Sequence, residues 1–449
     1  MLESRQHIPP SGASRRKEVH IMQSSSAAEQ VNFSTTTFEV GGREYRPPSS
    51  PIAVLCIDGC GCEYLDVTMA RGRMPNVTSM VAQGYRGLVR AALPTFTNVN
   101  NAAIATGLPP SETGISGNFF LNPETGEEVM MNSKDYLRAE TIFSAAAKAG
   151  RKIGIVTAKE KLRDLLSAGL EIGVQGGAIA FSSEKADQAQ FATHGIENVE
   201  TVVGEKTPKI YSAEASLFAL RAGVALLEQQ RADFLYLSLT DYMQHKYPPE
   251  AEESLAFYEG MDREIGKLLD LGAVVGATAD HGMNAKCNAD GDVNVLYLET
   301  ELNKTFGTGH RVICPITDPY VVHHGALGSL VMVHLAPESD ADAIMRWILA
   351  QEGVTEVFDR NTAAAKCELP PERIGDLVVL AGRDYVIGRT PEDHDLSQLG
   401  GMLRSHGGRY EEMVPMLLSE PLNDAFYAKA AGDPRNFDIF QFTCNGVQR

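Results

Sequence analysis

The chain has 449 residues, 43% of them hydrophobic and 22% charged, with a formal net charge of −18. These proportions describe a globular protein with room for two or three domains, and the acidic balance excludes a general nucleic-acid or membrane surface. No stretch has the length and apolarity of a membrane span, residues 1–30 lack the apolar segment of a signal peptide, and the seven cysteines show no disulfide-like spacing, so a cytoplasmic setting is expected.

Residues 1–50 read as a leader, because Ser, Arg, Gln and Pro dominate and no hydrophobic period is sustained. Within it, TTTFEVGGREYR has the pattern of a short hairpin around Gly41-Gly42. From Pro51 onward, apolar runs at 52–57, 87–93, 152–157, 234–239 and 273–278 read as strands. The first is continuously apolar, as in a parallel sheet covered on both faces. Helical patterns at 74–83, 139–149, 213–230 and 250–271 lie between them. This rhythm predicts an α/β/α sandwich over 51–286, with active groups at the carboxyl ends of its strands. Over 287–400 the rhythm changes. Short strand-like runs at 293–298, 330–335, 377–380 and 385–387 surround one helical pattern at 339–351, which predicts an α+β insert capping the site. Residues 401–449, with LRSHGGRYEEMVPMLL near their start, are expected to return to the main sheet.

The stretch 93–118, LPTFTNVNNAAIATGLPPSETGISGN, organises the chemistry. Pro94 stops a strand, Asn98 to Thr106 is helix-compatible, and Gly107 with Pro109-Pro110 ends the helix. A hydroxyl at such a strand-to-helix turn, Thr95 or Thr97, sits beside helix amides that attract an anion, which suits attack on a phosphoryl group. The plain alternative is a Thr that caps the helix. Asp58 follows the first strand. Asp241 and His245, four apart, follow LYLSLT and share a face if a helical turn begins there. Asp280 and His281 follow VVGATA, and His406 lies far downstream in SHGG. Each alone reads as a cap or a polar surface group. Placed after successive strands of one sheet, they make a set of metal-competent groups. Cys56, Cys60 and Cys62, in CIDGCGC, read as small buried residues beside a tight turn.

The pieces Asp58-Gly59, PTFTNVNNAAIATG, GISGN, TDYMQH, ADHGM and SHGG, in that order, resemble the alkaline phosphatase superfamily, specifically its nucleotide pyrophosphatase/phosphodiesterase-like branch. The resemblance implies two zinc ions, with manganese or iron able to use the same ligands. Asp241, His245 and His406 would bind one; Asp58, Asp280, His281 and the Thr97 oxygen would bind the other. It also implies Thr97 as nucleophile and Asn118 as a donor to a nonbridging phosphoryl oxygen. The donor types suit zinc, and two dications against three aspartates leave a net charge of about +1 for an anionic substrate.

Lys159 and Lys161 lie in GIVTAKEKLRDLL. In an extended chain they point to one side, whereas in a helix they would be a solvated helix start. The whole arrangement resembles those superfamily members that act on phosphonoacetate, which implies that the lysine pair binds the substrate carboxylate. The expected activity is metal-dependent hydrolysis of the carbon–phosphorus bond of phosphonoacetate to acetate and phosphate. The alternative is phosphodiester or nucleotide pyrophosphate hydrolysis with the same metals, and it would call for an aromatic clamp in place of the lysine pair. Retention of Thr97 and every implied ligand argues against a binding protein without turnover. The expected partner is a small anionic phosphonate, with no nucleic acid and no membrane, and homodimerisation is left open. Lys134, Arg138, His310 and Arg311 carry no assignment, and His323-His324 reads as structure or a cap contact.

Overall fold

The computed structural model describes residues 33–318, 323–397, 399 and 402–448. Its central sheet has seven strands in the order Tyr85–Arg90, Met413–Leu418, Val274–Thr278, Ile52–Cys56, Phe234–Ser238, Ile153–Thr157 and Ile179–Ser182. The last five run parallel, and every residue in them is buried. Such strands need apolar residues on both faces, which is why they appear as continuous apolar runs. Met413–Leu418 runs antiparallel to both of its neighbours. The fold is therefore mixed α/β around a mixed sheet.

That single reversal decides where the site lies. The parallel strands end at one edge of the sheet, and the antiparallel strand begins there. Residues just after the parallel strands and just before Met413 therefore meet at the same edge.

The expected strand at 87–93 is displaced to Tyr85–Arg90. It is an edge strand with one neighbour, and Leu88 is 55% exposed. Ala91, Ala92 and Leu93 are buried, but they lead into the next helix instead of extending the strand. Ile179–Ser182 was not anticipated; four residues are too few for a periodic signal. The helices Pro75–Gln83, Ile142–Lys148, Ala213–Glu228 and Glu252–Asp270 fall within their expected spans.

Phe38–Val40 and Arg43–Tyr45 pair antiparallel across Gly41-Gly42, both glycines at positive φ. The rest of the leader, residues 1–32, lies outside the described residues. Beyond the central sheet, Arg311–Ile313, Leu330–His334, Leu377–Ala381 and Val354–Asp359 form an antiparallel four-stranded sheet in that order. Val295–Tyr297 stands apart from it and pairs with Val386–Gly388. Buried side chains of both the larger and the four-stranded sheet belong to one hydrophobic cluster. Among the described residues, no helix is long and apolar enough to cross a membrane.

Candidate active site

Asp58 leaves the sheet through Gly59, whose φ is +71°. A Cβ at Gly59 would lie 3.0 Å from the Asp241 Cβ, so glycine is what lets the two strand ends approach. Its N–H donates to Asp280 Oδ1 at 3.2 Å. Asp58, Asp280 and His281 are all buried, with His281 Nε2 3.2 Å from Asp58 Oδ1 and 3.8 Å from Asp280 Oδ2. Among the described residues, neither Asp58 oxygen has a hydrogen-bond partner, and neither has His281 Nε2. Burial, and then the facing Asp58 charge, push the Asp280 carboxyl well above its ordinary range. Two buried carboxylates with unused lone pairs are costly unless a cation lies between them, so these residues fit a metal ion.

The second cluster forms where Asp241 begins the short helix Tyr242–Lys246, which places His245 one turn onward. Asp241 Oδ2 lies 2.9 Å from His245 Nε2 and 3.6 Å from His406 Nε2. The Nδ1 atoms are all engaged by backbone carbonyls: His245 by Arg404 at 2.7 Å, His281 by Gly282 at 2.9 Å and His406 by Thr95 at 2.7 Å. That leaves each Nε2 as the nitrogen available to a metal ion, the arrangement by which proteins commonly orient a metal-binding imidazole. The His281 and His406 rings stack with centroids 3.5 Å apart. Among the described residues, three groups have ligand atoms within 4.8 Å of one another: Asp58–Asp280–His281, Asp241–His281–His406 and Asp241–His245–His323. His281 and Asp241 each belong to two of these, so the clusters adjoin. None of the seven cysteines belongs to a metal-competent group among the described residues.

Phe96 is the N-cap of the helix Thr97–Thr106, so Thr97 is its first helical residue and caps nothing. Thr97 and Asn118 are both 3% exposed. Asn118 Oδ1 accepts the Asn98 N–H at 2.9 Å, satisfying one of the helix's unpaired amides and leaving the carboxamide nitrogen as the donor. Thr95 serves the fold: its Oγ1 donates to Gly408 O and accepts the Gly407 N–H, both at 3.0 Å. This ties the helix entry to the loop that carries His406.

Sequence reasoning passed over the asparagines of this helix. Asn101 accepts from Tyr236 Oη at 2.8 Å and Ser238 Oγ at 3.0 Å, and donates to Thr97 O at 3.0 Å and Asp280 Oδ2 at 3.4 Å. It joins the sheet, the helix start and a metal-competent carboxylate. Its signal was legible: three asparagines within four residues of an otherwise apolar helix are poor helix formers and need a polar reason. A buried Lys286–Glu411 pair was also missed. Glu411 Oε1 accepts from Lys286 Nζ at 2.9 Å, and its Oε2 accepts the Gly408 N–H at 3.1 Å.

Lys159 is extended and buried, while Glu160–Leu162 is a 3₁₀ turn, so the pair sits in neither a continuing strand nor a solvated helix. Lys159 Nζ donates to Asp241 Oδ1 at 3.0 Å, and Lys161 Nζ donates to Asp318 Oδ2 at 2.7 Å. Burial opposes the charge on Lys159, but Asp241 and Asp58 outweigh it and keep the ammonium protonated. Burial raises the Asp241 carboxyl, but Lys159 and His245 outweigh it and hold Asp241 well below the ordinary carboxylate range. The His323 ring lies 4.9 Å from that of His245, edge-on to Tyr211 and Tyr242. Burial, and then His245, push its pKa and that of His324 down, the latter to about 3. Lys134, Arg138 and Arg311 pair instead with Asp164, Glu372 and Glu128, and His310 Nδ1 accepts the Ala336 N–H.

The profile of the family described as type I phosphodiesterase / nucleotide pyrophosphatase matches residues 52–409. Among curated proteins, a venom phosphodiesterase of Macrovipera lebetinus is 26% identical over 258 residues, covering 53% of this chain and 26% of that protein. An uncharacterised pyrophosphatase/phosphodiesterase of Schizosaccharomyces pombe is 23% identical, covering 56% of this chain and 44% of its own length. The match thus spans less than half of either relative. The crystal structure of phosphonoacetate hydrolase from Sinorhizobium meliloti 1021 with phosphonoformate superposes with a TM-score of 0.88 at 44% identity, covering 93% of this chain and all of that one. The same enzyme has been solved with phosphonoacetate. Murine ectonucleotide pyrophosphatase / phosphodiesterase 5, at 16% identity and a TM-score of 0.56, covers 82% of this chain and 87% of its own and shares the fold. By profile and fold together, this chain belongs to the type I phosphodiesterase / nucleotide pyrophosphatase family.

Proposed function

We propose that the protein hydrolyses the carbon–phosphorus bond of phosphonoacetate, giving acetate and phosphate, with Thr97 as nucleophile. The observation that carries this reading is the buried Lys159 ammonium beside the metal-competent clusters, with Lys161 two residues on. A phosphodiester has no carboxylate for such a pair to bind, whereas phosphonoacetate has one. The 44% identity over 93% of the chain to an enzyme crystallised with phosphonoformate and phosphonoacetate supports it.

Asp241, His245 and His406 would hold one zinc ion, and Asp58, Asp280, His281 and Thr97 the other. Such ions neutralise phosphonate charge and make a coordinated hydroxyl easier to ionise. The chain's own groups do the rest. Thr97, at the positive end of its helix, forms a bond from Oγ1 to phosphorus as the carbon–phosphorus bond breaks. The electron pair stays on carbon and spreads into the carboxylate, where Lys159 and Lys161 meet the growing charge. Asn118 Nδ2 donates to a phosphoryl oxygen. The carbanion takes up one proton to become acetate, balancing the one lost by Thr97. Water then cleaves the phosphothreonine, releasing phosphate and restoring the hydroxyl. Residues 287–400 act as the cap in this scheme, supplying Asp318, and seven cysteines without disulfide-like spacing favour a reducing cytoplasm.

Phosphodiester hydrolysis is the second reading. Its specific support is the aromatic group Tyr211, Tyr242 and His323, which could clamp a base. One assay separates the two: phosphate release from phosphonoacetate, measured beside an activated phosphodiester and a simple alkyl phosphonate. Turnover of the diester alone would overturn the phosphonate reading.

A further inference from the structure

The two lysines leave one short turn for different carboxylates. Asp241 is divided between its oxygens. Oδ2 faces the imidazoles, at 2.9 Å from His245 Nε2 and 3.6 Å from His406 Nε2, while Oδ1 accepts from Lys159 Nζ at 3.0 Å. A ligating carboxylate whose other oxygen is hydrogen-bonded is held in orientation. Both partners are withdrawn from solvent, with side-chain exposures of 10% for Lys159 and 4% for Asp241, so the bond is little screened.

Lys161 is held by a different carboxylate, Asp318 Oδ2, at 2.7 Å. Its partner Asp318 follows the strand Arg311–Ile313 of the four-stranded sheet and belongs to none of the metal-competent groups. An ammonium has three donors, so each lysine can keep its aspartate and still contact a substrate carboxylate.

We propose that the lysines have unequal roles: Lys159 is a positioning residue that orients Asp241 for its metal ion as well as meeting the substrate, whereas Lys161, held by Asp318, serves the substrate alone. The substrate half of this statement rests on the phosphonoacetate reading; the metal half does not.

The test is therefore a metal titration without substrate. Zinc is titrated calorimetrically into chelator-stripped wild type and into the Lys159→Met, Lys159→Gln, Lys159→Arg and Lys161→Met variants. Loss of a partner outside the ligand set typically weakens metal binding about 10–100-fold. Lys159→Met and Lys159→Gln should show that loss at one zinc equivalent, while Lys159→Arg, which keeps the cation, should recover most of it. Lys161→Met should bind zinc as wild type does. Wild-type zinc affinity in either neutral Lys159 variant overturns the proposal, as does an equal loss in Lys161→Met. Circular dichroism checks folding. Should both neutral variants fail to fold, Lys159→Arg decides, and a tenfold loss there with folding intact overturns the positioning role. Failure of the phosphonoacetate reading shows separately, as a wild type that releases no phosphate from that substrate while the zinc results stand.

Discussion

The Asp58–Asp280–His281 cluster and the Asp241–His245–His406 cluster adjoin at one edge of the sheet, yet they are balanced differently. The first sets two buried carboxylates near one imidazole, with both Asp58 oxygens left without donors. The second has one carboxylate, already answered by the Lys159 ammonium and two imidazoles. The first is therefore strained without a cation, and the second is nearly neutral without one. A protein can build two adjacent metal-competent sites from the same residue types and make only one of them depend on the metal for its electrostatic stability.

The largest effects should come from removing what both clusters serve. Chelation should abolish turnover, and added zinc should restore it; activity untouched by chelator would remove the metal model altogether. Thr97→Ala should retain metal and fold but lose hydrolysis by several orders of magnitude, while Thr97→Ser keeps part of it. Wild-type turnover in the alanine variant would show that the attacking oxygen belongs to another group.

The contrast between the clusters sharpens in the metal-free protein, where the two aspartates should respond with opposite signs. Asp241→Asn leaves Lys159 buried without its counter-charge, and breaking such a pair costs about 3–5 kcal/mol. Urea denaturation of stripped protein would read this as a lower midpoint. Asp58→Asn removes a like charge from beside Asp280 and should raise the midpoint, with about 1.4 kcal/mol of added stability if it relieves the equivalent of one pKa unit. Equal shifts of the same sign in both variants would break the comparison. Between these in size lies Lys161→Ala, which should lower kcat/KM for phosphonoacetate by about 1.5–3 kcal/mol, the range for a hydrogen bond to a charged group. An activated phosphodiester should lose much less. Matching losses on both substrates would mean that Lys161 supports the fold.

The legible part of the site followed from strand ends. Asp58, Asp241 and Asp280 come two or three residues after runs whose continuous apolarity marks them as central parallel strands, and such strands end at one edge. His245 and His281 came with them through helical spacing and adjacency. The sequence motifs and their resemblance supplied the roles to be tested, and the α/β class came from the alternation of patterns.

What only the tertiary structure decided is which group each of these side chains meets. His406 reaches the site because Met413–Leu418 runs against the other strands, a reversal that no local pattern encodes. Lys159 and Lys161 look alike in AKEKL, but their partners lie 82 and 157 residues away, one beside the metal-competent imidazoles and one beyond the four-stranded sheet's first strand. Asn101 likewise reads as a weak helix residue until Tyr236, Ser238 and Asp280 surround it. Local sequence fixes backbone preference through sterics and periodicity, which act over a few residues. The partner of a buried charge is set by packing across the whole chain, and here that packing gave the two lysines different neighbours.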